Sequence, residues 1–180
     1  MKVIFLDIDG VLNTPSSEIR CGEYIGIDDE KVKKLKQIIE ATKAEIVLIS
    51  TWKKYWRKEE KLKPLQDYSA NYLDEKLAKQ GLKAVDKTKD KSDGRYLSRG
   101  EGILEYVCRN NVENYIILDD CQYDYDGCGI ADKLVKTNQT EGLTEKEVKK
   151  TCEILANNSI ITTSETPTEG SFKLWKAAAI

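Results

Sequence analysis

The sequence contains no histidine. That absence removes Ser-His-Asp, Cys-His and histidine-phosphatase mechanisms together. Acid–base chemistry near neutral pH is left to carboxylates, Lys, Tyr or Cys. The five cysteines, Cys21, Cys108, Cys121, Cys128 and Cys152, are odd in number and form no C-x-x-C pair. Neither a disulfide framework nor a zinc site is expected from them; reduced thiols in a cytoplasmic protein are. No apolar run is long enough to span a bilayer, and no signal-peptide pattern opens the chain, so a membrane location is not expected. Charge of one sign is also missing: 29 Lys and Arg stand against 31 Asp and Glu, a net of −2. No global field therefore draws nucleic acid or an acidic membrane. There is no internal repeat and no clear linker, and 180 residues suit one domain with its own core.

What is present is concentrated at the start. Val3-Ile-Phe-Leu6 is an apolar run with β-branched members, the pattern of a buried strand, and it leads directly into Asp7-Ile-Asp9-Gly10. Two carboxylates this close repel, and each raises the other's pKa unless a cation intervenes. A hard divalent ion such as Mg²⁺, which prefers oxygen ligands, is the simplest remedy.

Downstream the chain alternates between strand and helix patterns. After a loop over 13–27, expected to fold as a small hairpin, a helix starts at Asp28-Asp29-Glu30 with its acids where the macrodipole favours them. Val32, Leu35, Ile38 and Ile39 give that helix an apolar face. Glu45–Ile49 is a second strand, ending in Ser50-Thr51-Trp52. A helix is predicted over 64–80 with Gly81 as its C-cap, then a short strand over Leu82–Lys87. Another helix begins at Ser98-Arg99-Gly100-Glu101, with Ile103, Leu104 and Val107 inward. Tyr115–Leu118 is a strand that ends in Asp119-Asp120, and Lys133–Thr137 is a last strand. Thr144 caps a helix running to about Leu155. Such alternation predicts an α/β fold of three layers, Rossmann-like, with a central parallel sheet covered on both faces. In such sheets ligands gather at the carboxyl ends of the strands. Trp52, Tyr55 and Trp56, interleaved with Lys53, Lys54, Arg57 and Lys58, read as the buried face of a helix. A base-stacking surface for nucleic acid is the lesser alternative. Cys121, with no basic neighbour, reads as inert.

Asp7-Ile-Asp9-Gly10-Val11 resembles the first motif of the haloacid dehalogenase-like (HAD) phosphohydrolase superfamily. The resemblance implies that Asp7 is a nucleophile that becomes phosphorylated and that Asp9 is a general acid and base. Ser50, with Thr51 beside it, matches the family's second motif, one βα unit later. Ser50-Thr51-Trp52-Lys53 is similar to the Ser-Ser-Trp-Arg segment of a small HAD branch linked to RNA-repair proteins, with Lys53 in place of Arg. Arg99, within Arg99-Gly-Glu-Gly-Ile103, is the expected cation for the phosphoryl oxygens; Lys53 and Lys91 are its rivals. Asp119 or Asp120 would complete a Mg²⁺ shell with the Asp7 carboxylate and the Asp9 carbonyl, and Asp124 fits a supporting acid behind it.

These elements span residues 7 to 124 and imply a small phosphatase with minimal or no cap. Residues 1–158 would form the catalytic domain and 159–180 an appendage. The expected partner is a phosphorylated substrate, with nucleic acid or a nucleotide among the candidates. Alternatives remain open: a catalytically weakened phosphate- or nucleic-acid-binding module, and a phosphotransferase or mutase using the same residues. A response-regulator receiver fits less well, because there the acidic pair follows the first strand and the phosphorylated Asp comes later.

Overall fold

Val3–Leu6, Ile46–Ile49 and Ile116–Leu118 have no polar side to turn toward water, so they pair in the middle of a sheet covered on both faces. In the structure, a computed structural model that describes residues 1–157, strand β1 (Lys2–Leu6) is followed by a hairpin of β2 (Arg20–Cys21) and β3 (Tyr24–Ile25). Helix α1 (Asp29–Thr42) and β4 (Glu45–Leu48) come next, then 3₁₀ turns over Thr51–Lys54 and Glu60–Leu65, α2 (Tyr68–Ala78) and β5 (Ala84–Lys87). A second hairpin, β6 (Lys91–Ser92) with β7 (Arg95–Tyr96), precedes α3 (Arg99–Asn110) and β8 (Asn114–Asp119). The chain continues through β9 (Leu134–Lys136) to α4 (Glu145–Asn157). The expected appendage over 159–180 lies outside the described residues.

The main sheet has the order β5-β4-β1-β8-β9, and every pairing is parallel. From β1 the chain winds outward through β4 and β5, then returns to the other side of β1 for β8 and β9. The crevice between β1 and β8 is therefore the point where the winding reverses, the place at which such sheets bind ligands. Leu6 lies opposite both Leu48 and Leu118, so Asp7, Ile49-Ser50 and Asp119 leave the sheet at one level.

The alternation of side chains sorts the core into two layers. Ile4, Leu6, Ile46, Leu48, Ile116 and Leu118 face α1, α2 and α4. Val3, Phe5, Val47 and Ile117 face Ile103 and Tyr106 of α3 together with Tyr125. Phe5 meets Tyr106 edge-on, with ring centroids 5.6 Å apart.

Local signals set most helix ends. Asp28 caps α1 by accepting from the Glu30 N–H, and Ser98 and Glu101 form a reciprocal capping box on α3. Gly81 ends α2 as expected: its N–H donates to the Ala78 carbonyl and that of Leu82 to Leu77, a Schellman arrangement needing a left-handed residue at Gly81 (φ 72°).

The start of α2 differs from the predicted residue 64. Glu60–Leu65, with Pro64 inside it, forms a 3₁₀ turn, and α2 begins only where Asp67 accepts from the Ala70 N–H. The aromatic trio is also not one helical face. The segment is a single 3₁₀ turn, too short for that period. Trp56 is buried, Tyr55 is 44% exposed and Trp52 is half-buried over the site. The β6–β7 hairpin has no counterpart in the hydrophobic pattern, because most of its residues are exposed.

Candidate active site

Asp7 is the first residue beyond β1; its backbone N–H still extends the ladder to the Leu118 carbonyl at 2.9 Å. Its side chain is almost wholly buried. Burial pushes the carboxyl up to about 7; Arg99 opposes the shift, Asp119 adds to it and a hydrogen bond with Ser50 opposes it. Asp119, the last residue of β8, is fully buried. Its Oδ2 accepts from Arg99 Nη1 at 2.7 Å and from the Tyr125 hydroxyl at 2.7 Å, and its Oδ1 from the Cys121 N–H at 2.9 Å. Burial raises this carboxyl as well.

Between the two acids sits Arg99, with Nη1 3.3 Å from Asp7 Oδ1 and 2.7 Å from Asp119 Oδ2. Burial alone would favour loss of its proton, but the two carboxylates outweigh it and hold Arg99 above its ordinary value. The exposed ring of Tyr123 covers the outer face of the guanidinium, 3.9 Å from Cζ to the ring centre. The start of α3 is anchored by Asp124, whose carboxylate accepts from the Gly100 N–H at 3.0 Å, from the Ser98 hydroxyl and from the Cys128 thiol. Burial would raise Asp124, yet these bonds hold it below the usual carboxylate range. Asp124 thus acts on the site by fixing the turn from which Arg99 projects.

Asp9 is exposed and has a different environment. Its Oδ1 accepts from Asn13 Nδ2 at 2.8 Å and its Oδ2 from the Trp52 indole N–H at 3.0 Å. Buried Asn13 also accepts from the Gly10 N–H, and buried Thr137 donates to the Gly10 carbonyl at 2.7 Å. The loop after β1 is therefore tied to β9. Gly10 is required twice over. It has φ 71°, and a β-carbon there would lie 2.4 Å from Asp120 Oδ2.

Asp120 is half-buried against that glycine, and Asp119, Asp120 and Cys121 bring one ligand atom each within 4.8 Å of one another. Both oxygens of Asp119 already accept hydrogen bonds, which leaves Asp120 the less committed acid of the pair. Burial and the neighbouring Asp120 carboxylate push the Cys121 thiol up, which keeps it from acting as a thiolate.

Ser50 is buried, accepting from the Trp52 N–H as well as bonding Asp7. Thr51 is exposed at the junction of two clefts. One, of about 360 Å³, is lined by Thr51, Lys53, Lys54, Asp90, Ser98 and Arg99. The other, of about 530 Å³, opens on the Asp9 side. Lys53 is buried, donating to Thr88 Oγ1 at 2.7 Å and paired with Asp90 at 2.7 Å. Burial lowers its pKa in spite of that partner. Lys91 is exposed on β6, its ammonium 4.0 Å above the Tyr96 ring.

The profile of the HAD domain in Swiss Army Knife RNA repair proteins matches residues 3–148. The chain belongs to that family. No curated protein and no solved structure gives a significant match.

In this HAD domain the candidates Asp7, Ser50, Arg99, Asp119 and Asp120 converge at the ends of β1, β4 and β8 and the start of α3. Asp9 and Thr51 flank them on the solvent side. Four participants were not singled out from the sequence: Asn13, Tyr123, Tyr125 and the indole N–H of Trp52. Asn13 lies four residues after Asp9, within reach of a turn, and was the most discoverable. The tyrosines approach only because the β8–β9 loop folds back over Arg99.

Proposed function

We propose that this HAD domain is a Mg²⁺-dependent phosphatase that cleaves phosphomonoesters through an aspartyl-phosphate on Asp7. The observation that supports it most is the buried Asp7 carboxylate sharing the Arg99 guanidinium with Asp119 at the switch point of the sheet. A buried acid beside a fixed cation is suited to attack an anionic group that the same cation receives.

Oxygen donors suit a hard cation: the Asp7 carboxylate, the Asp9 carbonyl and Asp120 would hold it, Asp120 lying in a cluster with Asp119 and the Cys121 thiol, which burial pushes up. A bound Mg²⁺ would supply positive charge against the repulsion between these carboxylates and the incoming phosphate. Asp119 would serve the site by holding Arg99.

In the reaction, an Asp7 oxygen attacks phosphorus in line, and the bond to the leaving oxygen breaks. Arg99, the Ser50 hydroxyl and Thr51 hold the phosphoryl oxygens, on which charge spreads in the loose transition state. Asp9, steered by Trp52 and Asn13, gives a proton to the leaving oxygen. It then takes one from the water that hydrolyses the aspartyl-phosphate, restoring both acids. Lys53, engaged by Asp90 and Thr88, acts from the wall of the smaller cleft. The family's RNA-repair description favours a nucleic-acid or nucleotide phosphate as substrate.

Phosphate release from p-nitrophenyl phosphate, with Mg²⁺ and with EDTA, tests this reading. Turnover that needs Mg²⁺ and vanishes in a folded Asp7→Asn variant is expected. Retention of most activity by Asp7→Asn would remove the nucleophile assignment.

A further inference from the structure

The two clefts that meet at Thr51 differ in chemistry. The smaller contains Lys53, Lys54 and Arg99 against a single acid, Asp90. The larger is walled by aromatic rings. Tyr24, at the tip of the β2–β3 hairpin, is 71% exposed, and Tyr55, after the 3₁₀ turn, is 44% exposed. Trp52 forms the inner wall, its indole N–H on Asp9, and Tyr72 backs it with ring centroids 6.4 Å apart. The walls are tied together: the Tyr72 hydroxyl accepts from the Ile27 N–H at 3.2 Å, joining α2 to the base of the hairpin.

Asp9 opens into the aromatic cleft and is absent from the basic one. In the mechanism proposed above, Asp9 protonates the leaving oxygen, so the leaving group must lie on its side. We propose that the aromatic cleft is a leaving-group subsite for a nucleoside, whose base stacks between Tyr24 and Tyr55 while its phosphate reaches Asp7. This inference rests on the phosphatase reading for its direction. Stacking on an aromatic face is open to every base.

The polar lining narrows the occupant. Among the described residues Lys54 is the one cation lining the cleft, 5.0 Å above the Tyr55 ring, and Glu23 and Asp67 add carboxylates to its lining. A run of further phosphates along this cleft would meet three acids, Asp9, Glu23 and Asp67, for one lysine. A neutral nucleoside meets instead acceptors suited to the amino groups of adenine, cytosine or guanine. A tyrosyl ring offers no such donors. The cleft's volume, about 530 Å³, lies within the usual range for a small-molecule site.

The test compares kcat/KM for adenosine 3′- and 5′-monophosphates, ribose 5-phosphate and phosphotyrosine, in wild type, Tyr24→Ala and Tyr55→Ala. At least one nucleotide should exceed ribose 5-phosphate by about tenfold or more, and that ratio should fall toward one in both variants. Calorimetric binding of the same nucleotides to Asp7→Asn, with and without Tyr55→Ala, separates the two readings. Tyr55-dependent binding without turnover of any substrate supports the subsite and overturns the phosphatase. Turnover of p-nitrophenyl phosphate with equal kcat/KM for the nucleotides and ribose 5-phosphate supports the phosphatase and overturns the subsite. A preference for phosphotyrosine over both nucleotides would overturn it as well.

Discussion

Asp7 and Asp9 are two residues apart, yet the fold treats them oppositely. Asp7 is sealed beneath Arg99, whereas Asp9 stands in solvent with two N–H groups fixing its carboxylate. The first carries a cost when no cation is bound. In the unfolded chain its carboxyl titrates near the ordinary value of about 3.9; in the metal-free fold it is pushed up to about 7 by burial. Between these values the folded state binds more protons, so stability is greatest below pH 4 as far as this group is concerned and falls as pH rises toward 7. Asp119, also raised by burial, acts in the same sense. Urea denaturation in EDTA should therefore show a loss on the order of a few kcal/mol between pH 5 and pH 8. Asp7→Asn should reduce that slope, and an unchanged slope would mean that Asp7 does not titrate in this window. Trp52→Phe keeps a ring against Tyr72 but removes the donor to Asp9. It should lower kcat by about tenfold with little change in KM under steady-state conditions.

At the scale of the element, the N-terminal turn of α3 is the part on which the site depends most. Ser98 caps the helix, Asp124 reaches across from the β8–β9 loop to its Gly100 N–H, and Arg99 projects between them. Loss of the Ser98 cap should cost about 1 kcal/mol. Asp124→Ala removes the acceptor for three donors at once and should cost about 1–3 kcal/mol, with a fall in kcat because Arg99 loses its rigid base. Urea midpoints and kinetics on both variants check this; a kcat effect no larger in Asp124→Ala than in Ser98→Ala would remove the positioning role. The helix starts at Asp28 and Ser98 and the cap at Thr144 were legible because the side chain at each acts on N–H groups within three residues. The start of α2 was not, since Pro64 and the apolar residues around it suit a 3₁₀ turn as well as a helix.

For the whole molecule, the relevant feature is that acids from β1 and β8 converge with their charge only partly offset by Arg99. A ligand that binds the folded state alone stabilises it by mass action. Mg²⁺ at about a hundred times its dissociation constant should add roughly 2.7 kcal/mol, seen as a rise of several degrees in Tm at pH 8 that EDTA reverses. The rise should be smaller at pH 5, where Asp7 is protonated, and absent in Asp120→Asn. A Tm rise of equal size in that variant would place the cation elsewhere.

The sequence by itself determined the parallel sheet, its strand-end acids and the order in which they arrive, because apolar periodicity and short-range capping are local properties of the chain. Through its resemblance to the HAD superfamily it likewise pointed to Asp7, Asp9, Ser50, Thr51, Lys53, Arg99 and Asp119 or Asp120 as one group. Only the tertiary structure decided how those residues divide their contacts: Asp119 bound to Arg99 and Tyr125, Asp120 against Gly10, and Lys53 turned to Asp90. It also moved Trp52 from an expected core position to the edge of Asp9, and left Tyr24 and Tyr55 exposed beside it. Apart from Asp119 with Tyr125, such pairings join residues tens of positions apart, and their energies depend on burial that no local pattern encodes.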